Sequence, residues 1–101
     1  MAARIGVRNG SVYLDRQTVD TYFQGVDAVV ILIREGQLQI LPVRQMASGG
    51  CLLKVRNAAG DRVANAPDVF SEHGLSDWQD EGLAAQWSSS MGALVADLTA
   101  N

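Results

Sequence analysis

Few side chains in this sequence belong to the types that do chemistry, and their spacing limits what they can do. His73 is the only histidine and Cys51 the only cysteine. No second histidine, cysteine cluster or catalytic nucleophile lies at a recognisable spacing from them, so neither a zinc-type ligand set nor a nucleophile–base pair is expected. His73 falls near the end of an expected helix, where an imidazolium interacts favourably with the helix dipole. Cys51 opens the apolar stretch Cys51-Leu52-Leu53 and reads as a small packed hydrophobe, because no flanking cation or helix N-terminus lowers its pKa. Asp77, Asp80 and Glu81 are close in sequence but lack the glycine and the ~12-residue ligand pattern of a calcium loop, so a solvated acidic insertion is expected there. Asn9-Gly10 and Gly49-Gly50 lack the lysine and hydroxyl of a phosphate loop, and turn chemistry explains them. The chain is therefore expected to work by binding and not as an enzyme, with no metal and no cofactor.

Two sets of residues are suited to binding. Arg8 and Arg56 occupy matching places in Val7-Arg8-Asn9 and Val55-Arg56-Asn57, with Arg4, Lys54 and Arg62 nearby. Trp78 stands among Asp77, Asp80 and Glu81, and an aromatic ringed by acids suits contact with a basic protein. The other possibility for Trp78 is that it folds back over an apolar patch. Trp87 is expected to fill the interior.

Charge does not choose between the two sets. The net charge is −3, from eight Lys and Arg against eleven Asp and Glu. Residues 1–60 hold seven of the eight cations and only Asp15, Asp20, Asp27 and Glu35, while residues 61–101 hold seven acids against Arg62 alone. An acidic total argues against salt-driven nucleic-acid binding, although a basic face on the first half survives it.

At 101 residues the chain has room for one core, and with 48% hydrophobic and 19% charged residues it can bury one. The longest apolar run, Ala28 to Ile33, is far shorter than the roughly 20 residues needed to cross a bilayer as a helix. Nothing at the start resembles the apolar region of a signal peptide. A lone cysteine cannot form an internal disulfide. A cytoplasmic location without a membrane partner is the expectation, with homo-oligomerisation left open.

The elements that must position these residues can be read from turn chemistry and alternation. Asn9-Gly10 lies between β-rich flanks, the strongest short signal for a hairpin, because both residues tolerate positive φ. Asp15 can cap and Gly25 can close a short helix over 15–24. Residues 28–34 are apolar on both faces, and residues 37–43 alternate with one wet face, so a second hairpin turns at Glu35-Gly36. Pro42 has no N–H and belongs at the end or edge of its strand. Residues 44–50 form a polar, glycine-rich connector.

The second half repeats the order of the first. Val7-Arg8-Asn9 recurs at Val55-Arg56-Asn57, an offset of 48, and Gly10, Gly25 and Gly36 correspond to Gly60, Gly74 and Gly92. Residues 62–65 make a strand, Pro67 opens a helix over residues 68–73, and residues 83–88 and 93–98 make the last hairpin. The offset grows to 56 by Gly92, which places an insertion at Ser76 to Gly82. Two ββαββ units, about 4–44 and 51–98, then form one mainly β domain over residues 1–101, a closed pseudo-twofold barrel with two short helices.

The first unit resembles the AbrB/MazE-like swapped-hairpin (SpoVT-AbrB) domains. The resemblance rests on Asn9-Gly10-Ser11-Val12-Tyr13-Leu14, the helix ending at Gly25, Asp27-Ala28-Val29-Val30-Ile31, and Glu35-Gly36-Gln37-Leu38-Gln39-Ile40-Leu41-Pro42-Val43-Arg44. It extends over residues 4–44 and more weakly over 51–98, in the tandem form of MraZ-like proteins. It implies a barrel of interleaved hairpins whose opening hairpins present Arg4, Arg8, Lys54, Arg56 and Arg62 to DNA, as in a transcriptional regulator. Where the family has a second-strand arginine and proline, this chain has Tyr13 and Asp15. The alternative is a non-enzymatic interaction or assembly module that kept the barrel and lost DNA. A continuous basic face across the opening hairpins favours nucleic acid, and its interruption by Asp15 and Asp61 favours protein.

Overall fold

The computed structural model describes residues 2–43 and 50–98; the expected connector residues 44–49, Arg44 included, lie outside the described residues. The chain opens with β1 (Ala2–Arg8) and β2 (Ser11–Leu14), joined at Asn9 and Gly10 with φ of 51° and 80°. Both turn residues are left-handed, which is the geometry whose twist suits a two-residue hairpin. Helix α1 (Arg16–Tyr22) follows, and the Asp15 side chain accepts the Thr18 N–H at 2.8 Å to cap it. The helix is shorter than the expected 15–24 because Phe23 leaves the helical path to enter the core, where it is fully buried. Strands β3 (Ala28–Arg34) and β4 (Gln37–Val43) form the second hairpin, with Glu35 and Gly36 at φ of 52° and 77°. Pro42 lies past Ile40, the last β4 residue paired with β9, so its missing N–H interrupts no ladder there.

The second half contains β5 (Cys51–Leu52), β6 (Lys54–Val55), β7 (Arg62–Asn65), α2 (Pro67–Glu72), β8 (Gln79–Ser88) and β9 (Ala93–Asp97). Pro67 takes the first helical position, where no N–H is needed, and α2 ends ahead of Gly74 at φ 69°. Among the described residues all pairings are antiparallel, in the order β5-β3-β4-β9-β8-β1-β2-β7-β6, and these nine strands make a nearly closed barrel. The seam lies at Leu53. The chain leaves β3 after β5, turns at Leu53, and joins β7 as β6. The Leu53 N–H donates to the Asp27 carbonyl at 2.8 Å, and its own carbonyl accepts Arg62 Nη1 at 3.0 Å.

Inward residues alternate along each strand as a half-wet sheet requires. Ile5, Val7, Val12, Leu14, Ile31, Ile33, Leu38, Ile40, Leu83, Ala85 and Leu94 fill the interior with Phe23 and Phe70 from the helices. Cys51 packs against this core, and burial pushes its thiol pKa up, which keeps it protonated and weakly nucleophilic. Among the described residues no helix is long and apolar enough to cross a membrane.

The path of β8 refines two expectations. Residues 76–82 are largely exposed, as expected of a solvated acidic stretch, but they do not form a separate loop, because β8 begins at Gln79 and pairs with β1 through Val7–Asp80 and Arg8–Gln79. The extra length lies mainly in β8, which has ten residues where β3 has seven, and one of them forms a bulge, since Ile5 and Val7 face Leu83 and Asp80 with one residue too many on β8. Trp87 follows Leu83 and Ala85 on the inward side of β8 and packs against the core as expected, but at its edge. It is half-buried at the end of β8, stacked on Tyr22 at 5.5 Å between ring centroids and edge-on to Phe23 at 6.4 Å. Its side chain therefore closes the space beneath the C-terminal end of α1.

Candidate functional site: an arginine–tyrosine groove

The outer face of the β1–β2 hairpin carries the chemistry. Val12 and Leu14 point inward, so Tyr13 points outward, opposite Gly6. A side chain at Gly6 would meet Tyr13 Cβ at 3.4 Å, so the glycine leaves the space that the tyrosine uses. Onto this one ring come two guanidinium groups. Arg8 lies 5.3 Å from the ring centroid and Arg56 4.8 Å. Arg8 Nη2 also donates to the Tyr13 hydroxyl at 3.4 Å, and that contact, ahead of other influences, raises the Arg8 pKa. A cation over an aromatic face is attracted by the ring quadrupole, and a planar guanidinium stacked there has lost much of its rotational freedom.

The three residues border a cavity of about 250 Å³ that Arg4, Asp15, Asp61 and Glu81 also line. Arg4 is turned toward it by a hydrogen bond from Nη1 to the Gly82 carbonyl at 2.8 Å, inside the β8 bulge. The Asp80 carboxylate accepts the Gly82 N–H at 2.9 Å, which braces the same bulge. Bulges re-aim side chains, and this one brings Glu81 to the arginine groove.

Asp15 and Asp61 are held by donors at the start of α1. Asp15 takes the Thr18 N–H, while Asp61 takes the Arg16 N–H at 2.9 Å and the Asn57 side-chain amide at 3.0 Å. The Asn57 hydrogen bond first, then the Arg16 hydrogen bond and the charge of Arg56, hold the Asp61 carboxyl below its ordinary value of 3.8. A depressed pKa in the folded state means that the stabilisation is complete above that ordinary value and disappears as pH falls through the lowered one. Thermal midpoints of the parent should therefore fall more steeply than those of Asp61→Asn as pH drops below the ordinary carboxyl value of 3.8. Parallel curves below that value would show that the Asn57 and Arg16 contacts do not favour the ionised form.

The expected site residues separate into different settings. Arg4, Arg8 and Arg56 meet at the groove. Arg62 does not join them, because its guanidinium is engaged with the Leu53 carbonyl at the seam. Lys54 is exposed on β6, opposite Val63. Trp78 is half-buried and its side chain packs against the core, while its backbone N–H donates to the Leu75 carbonyl at 3.1 Å, so it does not stand out as an exposed anchor. Asp77 is exposed, Asp80 belongs to the bulge, and Glu81 lies with the arginines. His73 lies at the end of α2 with Nδ1 3.0 Å from the Val69 carbonyl. Among the described residues no three His, Cys, Asp or Glu side chains are grouped to hold a metal ion.

Tyr13 is the residue that sequence reasoning passed over. The signal was available in the alternation Val12-Tyr13-Leu14 beside a two-residue turn, which puts an aromatic ring outward and near Arg8. Compared with known proteins, the chain matches no family model, no curated protein and no solved structure.

Proposed function

We propose that this protein is a non-enzymatic binding module, a pseudo-twofold barrel of the swapped-hairpin type that engages a protein partner through the Arg8–Tyr13–Arg56 groove. The duplication is supported by pairings that survive exchange of the halves. Ile5 faces Leu83 as Leu53 bonds Asp27, and Arg4 faces Ala84 as Leu52 faces Ala28. Gly6 faces Tyr13 as Lys54 faces Val63, and Val7 faces Val12 as Val55 faces Arg62. These correspondences run at offsets of 48 for the opening strand, 50 for the second and 56 for the third, and Tyr13 itself faces Val63, its own counterpart. The resemblance to AbrB/MazE-like domains bears on this architecture more than on activity.

The observation that carries the protein reading is the mixed charge of the groove. Three guanidinium groups share it with the carboxylates of Asp15, Asp61 and Glu81. A duplex presents an unbroken row of phosphates, and three fixed anions among the arginines oppose it, whereas protein surfaces offer both signs. Tyrosine and arginine are also the side chains that most often dominate protein interfaces. The acidic patch around Trp78 is not the anchor in this reading, since the tryptophan is packed inward.

DNA binding is the second reading, favoured by the convergence of Arg8 and Arg56 from matching positions on one ring. One pair of measurements separates the two. Affinity capture from the source cells with the parent and with Arg8→Ala/Arg56→Ala should yield a defined protein that only the parent retains. Fluorescence anisotropy with random duplex DNA at physiological salt should show no saturable binding by either. Saturable duplex binding whose log–log salt slope falls by about two in the double variant would instead establish the DNA reading. Equal protein capture by both forms would remove the groove from the interaction.

A further inference from the structure

We infer that the groove receives a carboxylate carried on an extended segment of the partner, held between Arg8 and Arg56 across the face of Tyr13; this rests on the protein-binding reading above. Both guanidinium groups stand over the same ring, yet among the described residues the only ion pair within 4.0 Å is Arg16 with Asp20, on the outside of α1. Three carboxylates line the cavity without pairing with them. Asp15 and Asp61 are fixed by N–H donors at the start of α1, and Glu81 acts on Arg8 through charge at a distance. The groove therefore presents two oriented fork-shaped donors, each near a fixed acid but with no carboxylate within 4.0 Å among the described residues. A planar carboxylate is their natural complement, because each guanidinium can give it parallel hydrogen bonds. Stacking on Tyr13 holds the donors in advance, which reduces the entropy lost when the ligand arrives.

The shape of the concavity points to an extended occupant. A second hollow of about 310 Å³ shares Arg4 and Asp15 with the first and continues past Thr18, Thr21 and Tyr22. The lining of the two depressions runs from the arginines, by way of Arg4 and Asp15, to Gln17, Thr18, Thr21 and Tyr22 of α1, a line along which an extended segment can lie. A segment lying there would put one acidic group at the arginines and its neighbours beside the polar wall of α1. The fixed acids of the groove discourage a polyanion and tolerate a single charge. The expected partner is thus acidic at this point, opposite in sign to the basic partner that the Asp77–Glu81 region suggests from sequence.

The carboxylate could belong to an aspartate or glutamate side chain or to a chain terminus, and small probes distinguish these sources. Arginine Nε–H signals would be followed by NMR in the full chain during addition of N-acetylaspartate N′-methylamide, its asparagine counterpart, and N-acetylalanine. The expected result is saturable shifts of Arg8 and Arg56 with a carboxylate-bearing probe, no saturation with the asparagine compound, and bystander behaviour of Arg34 and Arg62. Saturation by the aspartate probe alone assigns a side chain, and saturation by N-acetylalanine alone assigns a chain end; saturation by both supports the shared carboxylate chemistry. Glu81→Gln should tighten the carboxylate by about threefold, since it removes a like charge from the rim. Equal response to the asparagine compound, shifts that never saturate, or Arg34 responding as strongly as Arg8 would overturn the inference. If the probes fail while partner capture still depends on Arg8 and Arg56, the carboxylate assignment falls and the protein-binding reading stands. If capture too is indifferent to those arginines, both fall.

Discussion

Gly10→Ala is expected to cost about 3 kcal/mol and to lower the thermal midpoint by more than about 10 °C. Gly10 has φ of 80°, which a side chain disfavours, and an added Cβ would lie 2.7 Å from Pro67 Cα and 3.1 Å from Pro67 Cβ. Backbone sits on the other side of that contact, so no side-chain rotation relieves it. Retreat of the turn is also opposed, because the Gly10 carbonyl accepts the Ala66 N–H at 2.8 Å just ahead of α2. The turn of the first hairpin is thereby fastened to the start of the second helix. Gly25→Ala supplies the control. Gly25 has φ of 73°, but an added Cβ meets nothing within 4 Å, so only the conformational cost of about 1 kcal/mol applies. Denaturant unfolding of the two variants measures the difference; equal losses would mean that the turn does not press on Pro67.

Phe70→Ala should be worse still, by about 3–5 kcal/mol. Helix α2 has six residues, too few to persist without tertiary contacts, and its N-cap Ala66 offers no side-chain hydrogen bond. Phe70 is the buried residue of that helix and is fully shielded from solvent. Its carbonyl accepts the Leu75 N–H at 2.8 Å as the chain turns toward β8, so loss of the ring loosens both the helix and the turn after it. A domain of ordinary stability, about 5–15 kcal/mol, retains little after such a loss. Phe70→Leu keeps much of the volume and should cost less than about 2 kcal/mol. Chemical unfolding of both variants decides the matter: an alanine variant within about 1 kcal/mol of the parent would show that the ring is not anchored in the core.

Much of the backbone was legible because a few residues have few options. Asn9-Gly10 and Glu35-Gly36 adopt the left-handed turns expected of them, and the alternation of Leu38 and Ile40 against Gln37 and Gln39 matches the buried and half-buried faces of β4. Pro67 starts its helix as a residue without an N–H should. The beginning of β8 was not legible, because Gln79-Asp80-Glu81-Gly82 has weak strand propensity and is held by its pairing with β1, a contact distant in sequence. The same kind of non-local contact breaks Cys51-Leu52-Leu53, where local composition suggests a single strand. For the candidate site, the Val-Arg-Asn recurrence pointed to Arg8 and Arg56, but not to the ring that gathers them. That ring depends on an empty place at Gly6 and on the approach of Arg56 from the other half. For Trp78 the sequence left two settings open, and the side chain takes the second: its neighbours in sequence are acidic, but it folds back over the apolar core.

Of the eight strand pairings among the described residues, β1–β8, β2–β7, β3–β5 and β4–β9 each stitch residues before 44 to residues after 50. Neither portion of the polypeptide can keep its hydrogen-bonding rims covered by itself. Two molecules that open together at high concentration find the same complementary rims on one another and can reclose as an exchanged pair. Refolding from concentrated denaturant should accordingly leave a fraction of intertwined dimer that dilution alone releases only as slowly as the barrel unfolds.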